Sequence, residues 1–350
     1  MVPAHLDDPA KPTGGNVYDH RVHRELVGRG WAVVRLAAPG WWPCPDAAAE
    51  QALARLIGDI PDGAVVLIGD LVACAVPGIV VPAADRLRLV ILVHNSLGEA
   101  TPGRQAIDAP SHEGTVLAAA RYVVTTSSWT RDRLLQRYGL SPDKVQVAEP
   151  GVDPALVAPG TPAGGELLCV AAVTAHKGHD VLLAALARLP ELPWRCVCVG
   201  TLDREPTFVA DLRRRVVAAG IGDRVSFPGL LTGADLDRAY AAADLLVLAS
   251  RGETYGMVVT EALARGLPVT ATAVGGVPEA LGRTRAGNRP GLLVPAGDSE
   301  ALATQLRRWL TDSSLRGHLR EAAWERRSML TGWTATADRF VNVLTNAAAS

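Results

Sequence analysis

The stretch that most constrains this 350-residue chain covers residues 245–274. An unbroken apolar run at 245–249 leads into a loop and one helical segment, and a second apolar run follows at 269–274. Short apolar runs without polar alternation read as strands buried on both faces, so two of them joined by a single helix predict adjacent strands of a parallel sheet. Thr254 is the expected N-cap of that helix. Met257, Val258, Val259, Ala262, Leu263 and Ala264 supply its apolar face, and Gly266 with Pro268 ends it. The loop therefore aims a helix N-terminus at the C-terminal edge of a parallel sheet. Open α/β sheets bind ligands at that edge, and the free N–H groups of a helix start attract phosphate.

Two carboxylates mark the segment, Glu253 in the loop and Glu261 about two turns into the helix. An ionised acid is repelled by phosphate but accepts hydrogen bonds from hydroxyl groups, so both suit a sugar or a ribose flanking a diphosphate. The alternative is plainer: Glu253 complements the helix dipole and Glu261 lies on a solvated face.

The same alternation of strand-like and helical runs recurs on both sides. Strand-like runs at 31–36, 64–68, 87–93 and 122–126 precede a Pro-, Gly- and Ala-rich stretch at 149–165 that lacks periodicity. Beyond it come runs at 167–173, 195–199, 225–227 and 292–294, and the chain is helical in pattern from Ser299 onward. The fold class is α/β: two Rossmann-like, doubly wound domains, at 1–158 and 159–330, with a helical tail at 331–350. Before the first glycine-bearing turn stands only a short apolar piece, 2–6, which reads as a very short strand.

Composition excludes several classes. With 48% hydrophobic and 20% charged residues the chain is globular, and no apolar run approaches the roughly 18 residues of a membrane span. The first residues have no charged and then apolar organisation, so they do not read as a signal peptide and a cytoplasmic location is expected. Net charge is −1, too little to suggest nucleic acid or an anionic membrane as partner. Cys44, Cys74, Cys169, Cys196 and Cys198 are an odd set best explained as reduced thiols. Cys196 and Cys198 share a strand face, but no second Cys/His cluster completes a metal site.

Five motifs stand in order: Pro12-Thr13-Gly14-Gly15-Asn16, Glu149-Pro150-Gly151-Val152-Asp153, Lys177-Gly178-His179-Asp180, Glu253 with Tyr255-Gly256 and Glu261, and Ala273-Val274-Gly275-Gly276-Val277-Pro278-Glu279. Together they resemble the family 4 retaining glycosyltransferases of the GT-B fold, over nearly the whole chain. The resemblance implies two domains facing a cleft, with transfer from a nucleoside-diphosphate sugar, UDP- or GDP-linked, to an acceptor expected to be a small molecule or glycan. By the same resemblance Glu253 meets the donor sugar hydroxyls and Glu261 the ribose. Lys177 and the segment Thr254, Tyr255, Gly256, Met257 and Val258 meet the diphosphate, and Leu231 lies where backbone meets the base. Gly14, Gly15 and Asn16 touch donor or acceptor, and His94 sits near the reacting centre. Neither a metal nor a cofactor is expected, and the terminal helix is expected to cross back to the first domain as a hinge.

One departure concerns charge. The family's usual arginine five residues before the lysine is Ala172 here, and His176 would compensate only if protonated. Asp70 is a weaker acceptor-side candidate, and Trp41-Trp42 either stacks on an acceptor or packs its loop. An epimerase or hydrolase of the same architecture, or a nucleotide-sugar-binding module without turnover, are the competing readings.

Overall fold

The computed structural model describes residues 1–3, 13–94 and 109–349. Pro12, most of the expected 2–6 strand and the residues just after His94 lie outside that set. The chain divides into two compact units, Met1–Gly151 with Gly332–Ser350, and Val152–Thr331. The boundary drawn at residue 158 therefore falls inside the second unit, and the terminal helix belongs to the first.

In the first unit β1 (Val2–Pro3) pairs in parallel with β2 (Ala37–Ala38). The strand expected at 31–36 does not form there. Among the described residues pairing with β1 occurs at Ala37–Ala38 instead, and Val34 is 80% exposed. The main sheet runs β3 (Val65–Gly69), β4 (Arg88–Val93), β5 (Tyr122–Thr125), β6 (Val145–Val147), all parallel and in sequence order. β6 escaped the sequence reading because three residues are too few to show a pattern.

Among the described residues the helices of this unit that precede residue 151 are α1 (Gly14–Gly28), α2 (Ala47–Gly58), α3 (Asp70–Ala73), α4 (Pro77–Ala83), α5 (Ala109–Ala119) and α6 (Ser128–Tyr138). Leu89, Ile91 and Val93 of β4 join one core with Leu53, Ile57, Val80, Val116 and Leu117. The intervening Val90 and Leu92 are buried on the opposite face, against which the terminal helix packs. Within this unit Tyr18 of α1 meets Trp333 and Phe340 of that helix at ring-centroid distances of 5.8 and 6.1 Å, and donates its hydroxyl to Ala148 O at 2.7 Å. Burial of a Phe-sized side chain stabilises by about 1.5–3 kcal/mol, so this aromatic group, with the Arg29–Asp338 ion pair beside it, fixes α1 firmly.

The second unit contains β7 (Glu166–Val170), β8 (Arg195–Val199), β9 (Val225–Gly229), β10 (Leu245–Leu248), β11 (Val269–Thr272) and β12 (Gly291–Val294). They form one parallel sheet in the order β12-β11-β10-β7-β8-β9. Its helices are α7 (His179–Leu186), α8 (Pro206–Ala218), α9 (Gly233–Ala241), α10 (Met257–Ala264), α11 (Val277–Leu281), α12 (Ser299–Thr311) and α13 (Ser313–Arg327); α14 (Trp333–Ala349) is the terminal helix of the first unit. Alternate strand residues feed two cores. Leu167, Cys169, Leu245 and Val247 enter one, while Leu168, Leu246 and Leu248 enter the other. Both faces are covered, as a parallel sheet of unbroken apolar strands requires.

The sheet order also sets where a ligand fits. The chain leaves β7 toward β8 on one side, and β10 lies on the other, so the loops after β7 and β10 diverge. That is the topological switch point, the position at which open α/β sheets hold ligands.

Candidate active site

Both loops at the switch point carry candidate residues, and the structure ties them together. After β7 a 3-10 turn, Ala175–Lys177, ends at Gly178 with φ +69°. A Cβ there would stand 1.9 Å from Ala249 O, so only glycine lets this turn approach the end of β10. Arg251 N donates to His176 O at 2.9 Å, and the Arg251 guanidinium makes two hydrogen bonds to the Asp180 carboxylate, at 2.9 and 2.7 Å. Across this seam Lys177 Nζ lies 2.6 Å from Glu253 Oε1, and Ser250 Oγ donates to the same oxygen at 2.7 Å. Oε2 of Glu253 has no hydrogen-bond partner among the described residues. The Glu253 side chain is 13% exposed and that of Lys177 28%. The pair is thus half withdrawn from water, with one carboxylate oxygen still available to a ligand.

The Glu253 loop rests on the Gly275-Gly276 turn. Gly276 N donates to Glu253 O at 3.0 Å. A Cβ on Gly275, whose φ is +51°, would sit 1.7 Å from that same oxygen, and one on Gly276 would sit 2.3 Å from Thr254 O. A turn that enters the sequence analysis as a motif without a site role is therefore the support of the candidate site.

Thr254 is not the cap of α10. Gly256, at φ +93°, is the N-cap and contributes no side chain, because the chain enters the helix through a left-handed residue two positions later. Tyr255 turns into the core, 7% exposed, and Met257 and Val258 pack partly against the same cluster. The first amides of α10 are thus left without a side-chain cap.

Glu261 lies four residues beyond Met257, about 6 Å along the helix axis at 1.5 Å per residue. Tyr240 OH donates to its Oε2 at 2.8 Å. The Arg265 guanidinium lies 4.2 Å from the Tyr240 ring centre and also donates to Glu261 O at 2.9 Å. Burial raises the Glu261 carboxyl above the usual range, while the Tyr240 hydroxyl and Arg265 oppose that rise. Leu231, two residues past β9, packs on the cluster that also receives Met257 and Val258.

His176 does not replace the missing arginine at Ala172. Burial and the neighbouring Lys177 ammonium lower its pKa, which keeps the ring neutral at physiological pH.

The first unit gathers a different set. Thr13 caps α1 by accepting from Asn16 N at 3.0 Å, and its hydroxyl donates to Asn16 Oδ1 at 2.7 Å. At the end of β4, His94 stacks edge-on to Tyr18 at 5.3 Å, and the space above Gly15 ends on its ring, 3.5 Å from where a Cβ would be. His94 Nε2 and Asp19 Oδ1 are 2.8 Å apart, with side chains 12% and 13% exposed. Burial pushes the imidazole pKa down, but Asp19, by charge and by hydrogen bond, and Asp70 push it up further, so it stands above the ordinary value. Gly14, Gly15, Asn16 and His94 thus belong to one neighbourhood, while Trp42 is buried with its indole N–H on Pro39 O and Trp41 is 73% exposed. Among the described residues no group of three His, Cys, Asp or Glu is placed to hold a metal ion, and no helix is long and apolar enough to cross a membrane.

Asp19, Tyr240, Ser250 and the Gly275-Gly276 pair were not in the sequence-derived set. Asp19 carries one available signal, its place in the turn after Gly15 on a helix that opens with a glycine pair.

Comparison with known proteins agrees in both units. Residues 163–326 match the family model described as "Glycosyl transferases group 1", and residues 12–156 match "Glycosyltransferase Family 4". A D-inositol 3-phosphate glycosyltransferase of Catenulispora acidiphila is 31% identical over 291 residues, covering 76% of this chain and 67% of that protein. In this and seven other curated relatives the aligned part is 50–67% of their length. Among solved structures, the sucrose-phosphate synthase of Thermosynechococcus elongatus superimposes with a TM-score of 0.78 at 22% identity, covering 100% of this chain and 98% of its own. HepE of Anabaena, solved in complex with UDP and glucose, gives a TM-score of 0.74 at 19% identity over 96% of this chain and 97% of its own.

Proposed function

Because this chain belongs to family 4 of the glycosyltransferases, we propose that it moves a sugar from a nucleoside-diphosphate sugar to a small-molecule acceptor, with retention at the anomeric carbon. The observation that carries the reading is the Lys177–Glu253–Ser250 arrangement at the β7/β10 switch point, next to the uncapped start of α10. In this reading the diphosphate takes the Lys177 ammonium and the amides of residues 255–258. Charge that grows on the leaving phosphate then meets a fixed cation and oriented N–H groups, which need not reorganise as the bond breaks. Glu253 turns its unoccupied Oε2 to a donor-sugar hydroxyl. Glu261, about 6 Å further along α10, accepts from the ribose, and Leu231 marks the base. UDP in the Anabaena neighbour supports a uridine donor, with GDP as the other candidate. The first unit binds the acceptor near Gly14, Gly15, Asn16 and His94. We assign charge neutralisation to protein groups, so transfer is metal-independent, and the reading places the protein in the cytoplasm.

Ala172, where the family has an arginine, favours one second reading: a module that binds the donor without turning it over. A thermal-shift screen with UDP, GDP and their sugars, followed by chromatography of donor incubated with polyol acceptors, separates the two. Transfer requires a raised melting temperature and a new glycoside, both expected for the wild type. Glu253→Ala is expected to keep the fold and lose the glycoside. Wild-type transfer by that variant sinks the assignment of Glu253, and a melting shift with no product from any acceptor supports the binding module.

A further inference from the structure

The His94–Asp19 pair is a half-buried acid and imidazole in direct contact, which no donor-side role uses. Asp19 leaves the second turn of α1, His94 directly follows β4, and their side chains meet at 2.8 Å. Tyr18 stands edge-on to the ring from the same helix, and the charge of Asp70, at the start of α3, acts on His94 in the same direction as that of Asp19. An ionised carboxylate can only accept, so Nε2 must carry the proton in this contact. The neutral ring then has its lone pair on Nδ1, and the charged ring has an N–H there. In either state Nδ1 is the nitrogen left for a ligand, and among the described residues it takes no hydrogen bond.

We infer that Asp19 is a positioning residue for His94: it holds the imidazole through Nε2, fixes its tautomer, and leaves Nδ1 to an acceptor hydroxyl at the C-terminal end of β4. The inference rests on the reading of the first unit as the acceptor-binding one. Two further facts fit it. The pair is nearly withdrawn from water, where a carboxylate–imidazole contact holds geometry more strongly than at the surface. The Gly15 backbone lies directly against the ring, with a Cβ position 3.5 Å from its carbons and 3.8 Å from Nδ1, in the segment whose motif the resemblance assigns to a ligand contact.

The test uses the full chain and isotope-edited NMR of its eight histidines, with His94 assigned by its loss in His94→Gln. In Asp19→Asn the His94 titration is expected to move down by about one unit or more, with ring shifts reporting loss of the Nε2–H form. Asp19→Glu, which keeps the charge, is expected to retain most of the wild-type titration. With donor and acceptor, Asp19→Asn is expected to lower kcat at least about tenfold and move the acid limb of the pH profile, while Kd for UDP stays within about twofold of wild type. The NMR measurement needs neither donor nor acceptor, so it stands if the proposed reaction fails. A wild-type His94 titration in Asp19→Asn overturns the inference. So does an unmoved pH profile in a variant that merely melts earlier.

Discussion

Removing the Lys177 ammonium is the sharpest perturbation of the donor site. In the structure it makes one charge-assisted contact, 2.6 Å to Glu253 Oε1, from a side chain 28% exposed. A diphosphate bound beside it would take over or share that cation. A hydrogen bond to a charged group contributes about 1.5–3 kcal/mol, so Lys177→Ala should weaken UDP by about 10- to 150-fold. The companion change, Glu253→Ala, removes a carboxylate that competes for the same ammonium and repels phosphate. UDP should therefore bind Glu253→Ala as well as or better than wild type, although sugar transfer is lost. Isothermal titration of UDP into wild type, both single variants and the double variant measures this directly. The double variant should show nearly the full Lys177→Ala loss, because no phosphate contact is assigned to Glu253. If Lys177→Ala binds UDP like wild type, the ammonium serves only to hold the Glu253 loop and the diphosphate assignment is wrong.

Three other changes test separate parts of the account. Gly275→Ala places a Cβ 1.7 Å from Glu253 O at φ +51°, so the loop must shift; a stability loss of about 2 kcal/mol or more by urea unfolding, with weakened donor-sugar binding, is expected, and an unchanged midpoint contradicts it. Tyr240→Phe takes a donor from a carboxyl that burial already raises, so the ionised Glu261 becomes costlier by about 1–2 kcal/mol; because a raised acid favours the fold most at low pH, the loss should shrink toward pH 4, and equal losses at pH 4 and 8 refute it. His94, with its folded pKa above the ordinary 6.5, contributes stability that is fully present below the unfolded value and lost as pH rises through the folded one. His94→Gln should therefore cost more at pH 5.5 than at pH 8.5 in urea titrations, and a pH-independent difference shows that the pair adds no such linkage.

Much of the architecture was legible because buried parallel strands leave unbroken apolar runs; the runs at 195–199 and 245–249 became β8 and β10 almost residue for residue. What misled was an apolar run that stays outside the main sheet. Residues 31–36 look like a strand, yet among the described residues the pairing there is at Ala37–Ala38, with β1. Thr254 likewise has the chemistry of a cap, but a left-handed Gly256 defines where α10 starts. Lys177 and Glu253 were named from separate motifs 76 residues apart, and their contact depends on strand order, which no local pattern encodes. The pairing of Asp19 with His94 and of Tyr240 with Glu261 depends on tertiary placement in the same way. The role of Gly275-Gly276 is steric, and a pair of glycines in a loop does not announce which backbone will lie on it.

A crystal structure of the chain soaked with UDP tests the central claim most directly. The account predicts the diphosphate within hydrogen-bond distance of Lys177 Nζ and the first amides of α10, with the ribose hydroxyls on Glu261. A nucleotide bound elsewhere, with Lys177 still paired only to Glu253 and the start of α10 uncovered, would contradict it.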